Sequence, residues 1–284
     1  MDRLLPEEAG NEGAAGGGFR DEDNNALARL CSRLLSGGIR AAYTIRLDVP
    51  SHTAILEQID RLQPDLVLKR SEGRDYVVGL FTNTDWELVR QSPAHLWFVN
   101  AGDSGDSGAI NRMVTAIEAS PDPDEAVSSA DCLAYRLANA IAGRFGATNF
   151  PVHAYQVPRE VPTLALVPPL SPGLYQVSAN APSATVERNI ARKHREVVDA
   201  FEAFFQLGPD TVRLVEGDPS EVLPAAAENL GADMIVMSAR NLRRMERLLD
   251  SVNAEPVLAR APCDVVFAKE HLTDTHHQAV DILP

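Results

Sequence analysis

The chain has 284 residues, 45% of them apolar, and a formal net charge of −14. This length allows two domains with ordinary hydrophobic cores, and the negative charge argues against binding nucleic acid or an anionic membrane surface. No stretch of about 18 apolar residues, which a membrane span would need, occurs in the sequence. The first ten residues lack the basic and apolar regions of a secretory signal, and the three cysteines are widely scattered. We therefore expect a cytoplasmic protein with reduced thiols and no membrane insertion.

The glycine-rich composition of residues 1–21 predicts a disordered tail, and a short α/β segment is expected to follow it. Apolar residues in 23–35 recur at spacings of three and four, which predicts an amphipathic helix that ends at Gly37-Gly38. Strands are expected over 41–47, 66–68 and 96–99, and helices over 51–63 and 84–91. The composition of residues 101–110, rich in Gly, Ser and Asp, predicts a linker.

The C-terminal part predicts a complete doubly wound α/β domain with five strands and four helices. Short apolar runs without alternation are typical of parallel strands buried on both faces. Strands are expected over 113–117, 152–157, 211–215, 233–237 and 264–268. Helices are expected over 124–145, over 183–207, and from Asp218-Pro219-Ser220 to Gly231. Six prolines in residues 158–182 predict a loop without regular structure, which either covers a site or is disordered.

An internal repeat connects the two parts of the chain. The segment DLVL at residues 65–68 matches DMIV at 233–236, which is an offset of 168. The segment PAHLWFV at 93–99 matches PCDVVFA at 262–268, which is an offset of 169. Subtracting these offsets from the start of the second copy gives numbers below 1, so we expect the first copy to begin in mid-domain.

The repeat resembles the universal stress protein family in its tandem form. GDPSEVLPAAAENLGADMIVMSAR at 217–240 is similar to the family's third helix and fourth strand. TNTDW at 82–86, followed by Arg90, Pro93 and Trp97, resembles the first domain of the tandem bacterial members. The resemblance implies a complete domain over 111–270, an incomplete one over 22–100 and a C-terminal tail over 271–284. It also implies a five-stranded parallel sheet of order 3-2-1-4-5, of the adenine-nucleotide-hydrolase type.

The same resemblance implies that the first copy lacks strands 1 and 2 and the helix between them. Its strand 3 would have no neighbour within its own half. It must then lean on another sheet, rearrange, or be completed by a second chain.

Family members that hold ATP carry Gly-x2-Gly-x9-Gly followed by Ser or Thr after the fourth strand. Glycines there let backbone N–H groups approach the phosphates at a helix N-terminus. The matching positions in this chain are Ser238, Asn241, Ser251 and Val252, so the glycines and the final hydroxyl are absent. The acidic residue at the end of strand 1 would be Glu118, which is longer than the family's Asp. We therefore predict a degenerate nucleotide site that does not bind ATP tightly and no cofactor, with a shallow anion site left open.

A cluster of arginines follows the fourth strand, and it has two interpretations. Arg243 and Arg244, with Arg240 and Arg247, are placed to hold a phosphate or another small anion at the carboxyl end of the sheet. Alternatively they form surface ion pairs with neighbouring carboxylates, which are common and weak. We favour the ion-pair interpretation.

Three further residues are singled out. Trp86 and Trp97 are expected to pack at the surface of the half-sheet, or to anchor an interface if a partner uses its edge strand. His194, among apolar positions of a helix, is expected to be hydrogen-bonded at the edge of the core.

No G-x-S-x-G, H-E-x-x-H or paired-cysteine pattern occurs, so neither a catalytic residue nor a metal site is predicted. The sequence predicts a non-enzymatic, stress-associated binding and assembly protein that forms a homodimer. The alternatives are a sensor of a nucleotide or of an anionic lipid-like molecule at the carboxyl end of the second sheet, and a nucleotide hydrolase.

Overall fold

A computed structural model describes residues 21–46, 51–71, 83–100, 109–117, 129–157, 161–165, 176–180, 184–239 and 261–269. The chain divides into two units, Met1–Pro50 and Ser51–Pro284. Both copies of the repeated strands fall in the second unit. The predicted C-terminal tail and most of the predicted N-terminal tail and linker lie outside the described residues.

The first unit contains a helix that ends where two glycines follow it. Helix α1 spans Asp21–Ser36, and the amide of Gly37 donates to the carbonyls of Arg33 and Leu34. Gly38 has a φ of 80°, a left-handed conformation that glycine adopts without strain. The predicted helix and its glycine end are confirmed.

The strand predicted over 41–47 is wrong for the part that can be judged. Residues 41–46 contain neither helix nor strand. A strand is stable only when a neighbour satisfies its backbone N–H and C=O groups. In the implied order this segment would pair with strand 2, which the half-domain lacks.

The described elements of the second unit, in chain order, are α2 (Ser51–Leu62), β1 (Leu66–Ser71), α3 (Asn83–Gln91), β2 (His95–Asn100), β3 (Arg112–Ala116), α4 (Ser129–Phe145), β4 (Thr148–Tyr155), β5 (Val161–Ala165), β6 (Gln176–Asn180), α5 (Ala184–Phe204), β7 (Arg213–Glu216), α6 (Pro219–Leu230), β8 (Met234–Ser238) and β9 (Asp264–Ala268).

Seven of these strands form one sheet of order β1-β2-β9-β8-β3-β4-β7. Strands β2 and β9 pair antiparallel, and all other neighbours in this sheet pair parallel. Read from β7 to β9, the order is the predicted 3-2-1-4-5.

The proline-rich segment is more regular than predicted. Strands β5 and β6 form an antiparallel pair with Pro162 opposite Ala179. Both strands of a two-stranded ribbon are edge strands, and an edge strand accommodates a proline where no ladder N–H is needed. The expectation of no regular structure over 158–182 is therefore wrong for residues 161–165 and 176–180.

The side chains of each strand point alternately to the two faces of the sheet, and helices pack on both faces. In β8, Ile235 and Met237 join the core cluster that contains Leu223 of α6. Met234 and Val236 join the cluster formed with α4. The predicted caps of α6 are confirmed: the Asp218 side chain accepts a hydrogen bond from the Ser220 amide at 2.8 Å, and Gly231 ends the helix with a φ of 55°.

Candidate functional site

The carboxyl end of the complete sheet is where open α/β folds bind ligands, at the switch point between β3 and β8. Ser238, the last residue of β8, is 1% exposed and belongs to the strand itself. The other predicted nucleotide-site residues, which are Glu118, Asn241, Arg243, Arg244, Ser251 and Val252, lie outside the described residues. The degenerate nucleotide site therefore stays a prediction.

A buried histidine pair lies beside this switch point. His153 on β4 is 1% exposed, and its Nδ1 lies 2.8 Å from the carbonyl oxygen of Ile117, directly after β3. Its Nε2 lies 2.9 Å from Nδ1 of His194 on α5. The ring of Tyr155 stacks on His194 with the centroids 4.9 Å apart, and its hydroxyl donates to Glu216 at 3.4 Å. The position expected for His194, hydrogen-bonded at the edge of the core, is confirmed.

Burial favours the neutral form of both rings. Desolvation lowers the pKa of His153 to about 4, even though its hydrogen bond to the Ile117 carbonyl acts in the opposite direction. Desolvation also lowers the pKa of the half-buried His194. The pair is therefore neutral near pH 7.

The half-domain reproduces part of the complete domain element by element. Helix α2, at residues 51–62, corresponds to α6, at 219–230, by the same offset of 168 that relates β1 to β8. Strand β2 corresponds to β9 by the offset of 169. The half-domain thus keeps the last strands of the fold and joins them to the complete sheet through β2.

The pairing of β2 with β9 is symmetric with respect to the two copies of the repeat. Trp97 lies opposite Val266, its own counterpart in the repeat, and the ladder extends symmetrically on both sides of this pair. Phe98 and its counterpart Phe267 contact edge to face, with ring centroids 5.9 Å apart. The register is that of a local two-fold axis through the Trp97–Val266 pair.

Side-chain acceptors close the two ends of this ladder at equivalent positions. The carboxylate of Asp264 accepts hydrogen bonds from the Asn100 amide and from the Trp97 indole N–H, both at 2.8 Å. At the other end, Nδ1 of His95 accepts a hydrogen bond from the Lys269 amide at 2.9 Å. His95 and Asp264 are related by the repeat, and so are Asn100 and Lys269. The two copies are therefore held together by ladder hydrogen bonds, by aromatic packing and, at each end of the ladder, by hydrogen bonds to a side-chain acceptor. We call the hydrogen bonds to Asp264 the Asp264 clasp.

The two tryptophans have different surroundings. Trp86 is 6% exposed and belongs to the core cluster with Ile59 and Leu88, so its ring is a packing residue and is not available at the surface. Trp97 is half-buried and packs edge to face on Phe145 at 6.4 Å. Trp97 therefore lies at an interface, but at the one between the two copies within the chain.

The same sheet face is covered in one copy and bare in the other. Val236 of β8 is 0% exposed because α4 packs over it, and Met234 is buried with it. The corresponding residue of β1, Leu68, is 59% exposed, and Leu66 is half-buried. Among the described strands β1 pairs only with β2, so the half-domain offers both an apolar face and an open strand edge.

The histidine pair and the Asp264 clasp were not predicted. His153 and His194 are 41 residues apart in sequence, and Asp264 and Trp97 are 167 residues apart. The repeat offsets identify 95 with 264 and 97 with 266, but they carry no information about which strand edges meet. The polar residue at the start of each strand, followed by an apolar run, was the available signal.

The strand order, the helices on both faces and the switch point between β3 and β8 define an α/β protein of the adenine-nucleotide-hydrolase type. Residues 110–269, more than half of the chain, match the model of the universal stress protein family, and the chain belongs to that family. Membership supports a role in the stress response. Along the described part of the chain, no helix combines the length and the apolar character that crossing a membrane requires.

Related proteins agree with this assignment. Universal stress protein E of Escherichia coli K12 is 24% identical over 242 residues, which cover 81% of this chain and 70% of that protein. A Universal stress protein E homolog of Haemophilus influenzae is 22% identical over 229 residues, covering 78% and 67%.

Solved structures share the fold. The crystal structure of a putative universal stress protein from Pseudomonas aeruginosa UCBPP-PA14 matches with a TM-score of 0.65 and 18% identity, covering 89% of this chain and 80% of that one. A universal stress protein from Archaeoglobus fulgidus matches with a TM-score of 0.51 and 15% identity, covering 88% and 77%.

Proposed function

We propose that this protein is a non-enzymatic binding and assembly protein of the stress response, and that it pairs with a second copy through β1 of its half-domain. The contrast between Leu68 and Val236 carries this proposal. The repeat gives both positions an aliphatic side chain, and the chain itself buries only Val236. Fully burying a leucine side chain stabilises by about 1.5–3 kcal/mol. Because Leu68 is 59% exposed, a second copy supplies the part of this gain that belongs to its exposed surface.

The outer edge of β1 supports the same interaction. A terminal strand presents unpaired N–H and C=O groups that another strand can pair with, and proteins often block such an edge with a lysine. Lys69 lies on β1, but its amine is bonded to Asp85 of α3 at 2.8 Å and is only 17% exposed. The lysine is therefore held on the α3 side of the sheet, and the opposite face of β1 carries Leu66, Leu68 and the exposed Arg70.

Light scattering after size-exclusion chromatography tests the assembly. We expect a mass of twice 30.8 kDa at micromolar concentration. Leu68→Asp places a charge on the bare face and should give the single-chain mass. Leu62→Asp is the matched control, because Leu62 is 48% exposed at the end of α2 and lies off β1. A strictly monomeric wild type, or equal dissociation by both variants, would refute the role of β1.

The proposal includes no ATP binding through the glycine motif and no catalysis. It is supported by the sequence, in which serine and asparagine stand where the motif places its glycines, at 238, 241 and 251. A thermal-shift titration with a non-hydrolysable ATP analogue tests it, since a ligand at 100 times its Kd stabilises by about 2.7 kcal/mol. We expect no shift up to millimolar analogue. A saturable shift, or phosphate release from ATP by the purified protein, would contradict this part alone.

A further inference from the structure

Two hydrogen bonds that His153 makes fix the proton positions of the histidine pair. A carbonyl oxygen only accepts, so Nδ1 of His153 carries the hydrogen that is donated to Ile117. The neutral ring then has a lone pair at Nε2, and Nδ1 of His194 must donate to it. The hydrogen bonds therefore run in one direction, from His194 through His153 to the end of β3.

This arrangement accepts one proton and not two. A first proton binds at Nε2 of His194 and leaves both hydrogen bonds intact. A second proton has to bind at Nε2 of His153, where it would face the N–H of His194 at 2.9 Å. Two N–H donors and two positive charges would then face each other, and one of the two rings, that of His153, is only 1% exposed to solvent that could stabilise its charge. The hydrogen bond between β4 and α5 is lost at that step.

Titratable and charged groups approach the pair from several described elements. Among the described residues, β4 contributes Tyr155, stacked on His194, and β7 contributes Glu216, whose carboxylate is bonded to the Tyr155 hydroxyl. Helix α5 contributes Arg195, whose positive charge acts on Tyr155. The neighbouring part of α4 contributes Tyr135, which packs on Phe201 and brings no charge.

The position of His194 in α5 determines which part of this helix the pair can hold in place. Residues 184–193, the first half of this helix, are exposed or half-buried. Full burial begins with Val197 and Val198 and continues with Phe201. His194 therefore lies at the boundary between an outer half and a half that is packed into the core.

We propose that His153 and His194 form a one-proton latch, which holds the outer half of α5 on the carboxyl end of the sheet and releases it when the pair takes up a second proton. The latch lies beside the switch point and involves none of the residues of the β1 surface. It makes the ligand-binding end of the fold sensitive to acid while the rest of the sheet stays folded.

Hydrogen exchange read by mass spectrometry tests the latch, with rates corrected for the intrinsic pH dependence of amide exchange. Between about pH 7 and pH 4 we expect residues 184–193 of the wild type to lose at least tenfold in protection while residues 197–204 keep theirs. His194→Gln retains an N–H donor for His153 and takes up no proton, so its outer half should keep its protection. His52→Gln, on α2, is the matched control and should behave as the wild type.

Nitrogen-15 NMR of the wild-type imidazole rings gives a second measurement that needs no variant. We expect the first proton to bind without any change in the hydrogen exchange of residues 184–193. The second proton should bind over the same pH range in which these residues lose their protection. The proposal is overturned if both protons bind while residues 184–193 stay protected. It is also overturned if both halves of α5 open together, or if His194→Gln opens as the wild type does.

Discussion

The repeat offers a direct comparison between equivalent positions, Leu68 in the half-domain and Val236 in the complete domain. Val236→Ala removes two methyl groups from a residue that is 0% exposed. Their transfer is worth about 0.8 kcal/mol each, and the cavity left behind raises the expected loss of unfolding free energy to roughly 2–3 kcal/mol. Leu68→Ala removes three carbons, but the residue is 59% exposed, so the expected loss is about 1 kcal/mol or less. The larger truncation should therefore cost less.

Urea unfolding followed by circular dichroism measures both losses, with the slope of the transition checked for each variant. The comparison is made at the lowest protein concentration that gives a signal, where assembly through β1 contributes least. A loss for Leu68→Ala equal to or greater than that for Val236→Ala at this concentration would refute the assignment of covered and bare faces. A loss for Leu68→Ala that grows with protein concentration would support the proposed dimer.

Asp264→Ala leaves an indole N–H and a backbone amide without their acceptor, and should lower the free energy of unfolding measured in urea by about 2–4 kcal/mol. Asp264→Asn keeps an acceptor oxygen and should lower it by less. Equal losses for the two variants would contradict the role of these hydrogen bonds. Burial raises the pKa of the Cys263 thiol to about 12, so Ellman's reagent should label it only after unfolding. Rapid labelling in the folded protein would contradict the burial of Cys263. Gly217→Ala should destabilise by about 1–3 kcal/mol, because its φ is 148° and an added Cβ would lie 2.7 Å from Val222. Gly143→Ala meets nothing within 4 Å inside α4 and should be neutral or stabilising. Thermal unfolding followed by circular dichroism measures both glycine variants, and a greater loss for Gly143→Ala would contradict this comparison.

The fold was predictable wherever local chemistry decides it. The caps of α6 and the apolar runs of β8 and β9 are local signals, and the structure confirms all three. The segment 41–47 has a strand-like composition, but a strand also needs a neighbour, and composition does not supply one. The prolines of 158–182 predicted no regular structure, which is wrong for 161–165 and 176–180, because a two-stranded ribbon accommodates prolines that a central strand would not.

The candidate sites were less predictable because their contacts join distant parts of the chain. The sequence leaves three outcomes open for strand 3 of the half-domain, expected over 41–47, and residues 41–46 do not form a strand. The strand of the half-domain that pairs with the complete sheet is instead β2, which lies beside β9. The offset of 169 was visible in the sequence, but the antiparallel meeting of Trp97 with Val266 depends on tertiary packing.

The sheet also limits how copies of this chain can add to one another. Its two outer strands, among those described, are β1 and β7, and they differ in length and sequence. Joining β1 to β1 is isologous, so it closes after two chains and leaves both β7 strands outermost. Joining β1 to β7 is heterologous, and unless its rotation closed a ring, each added chain would expose the same strand again and extend a filament. The choice between a finite particle and an unlimited fibre therefore depends on which partner the six residues of β1 accept.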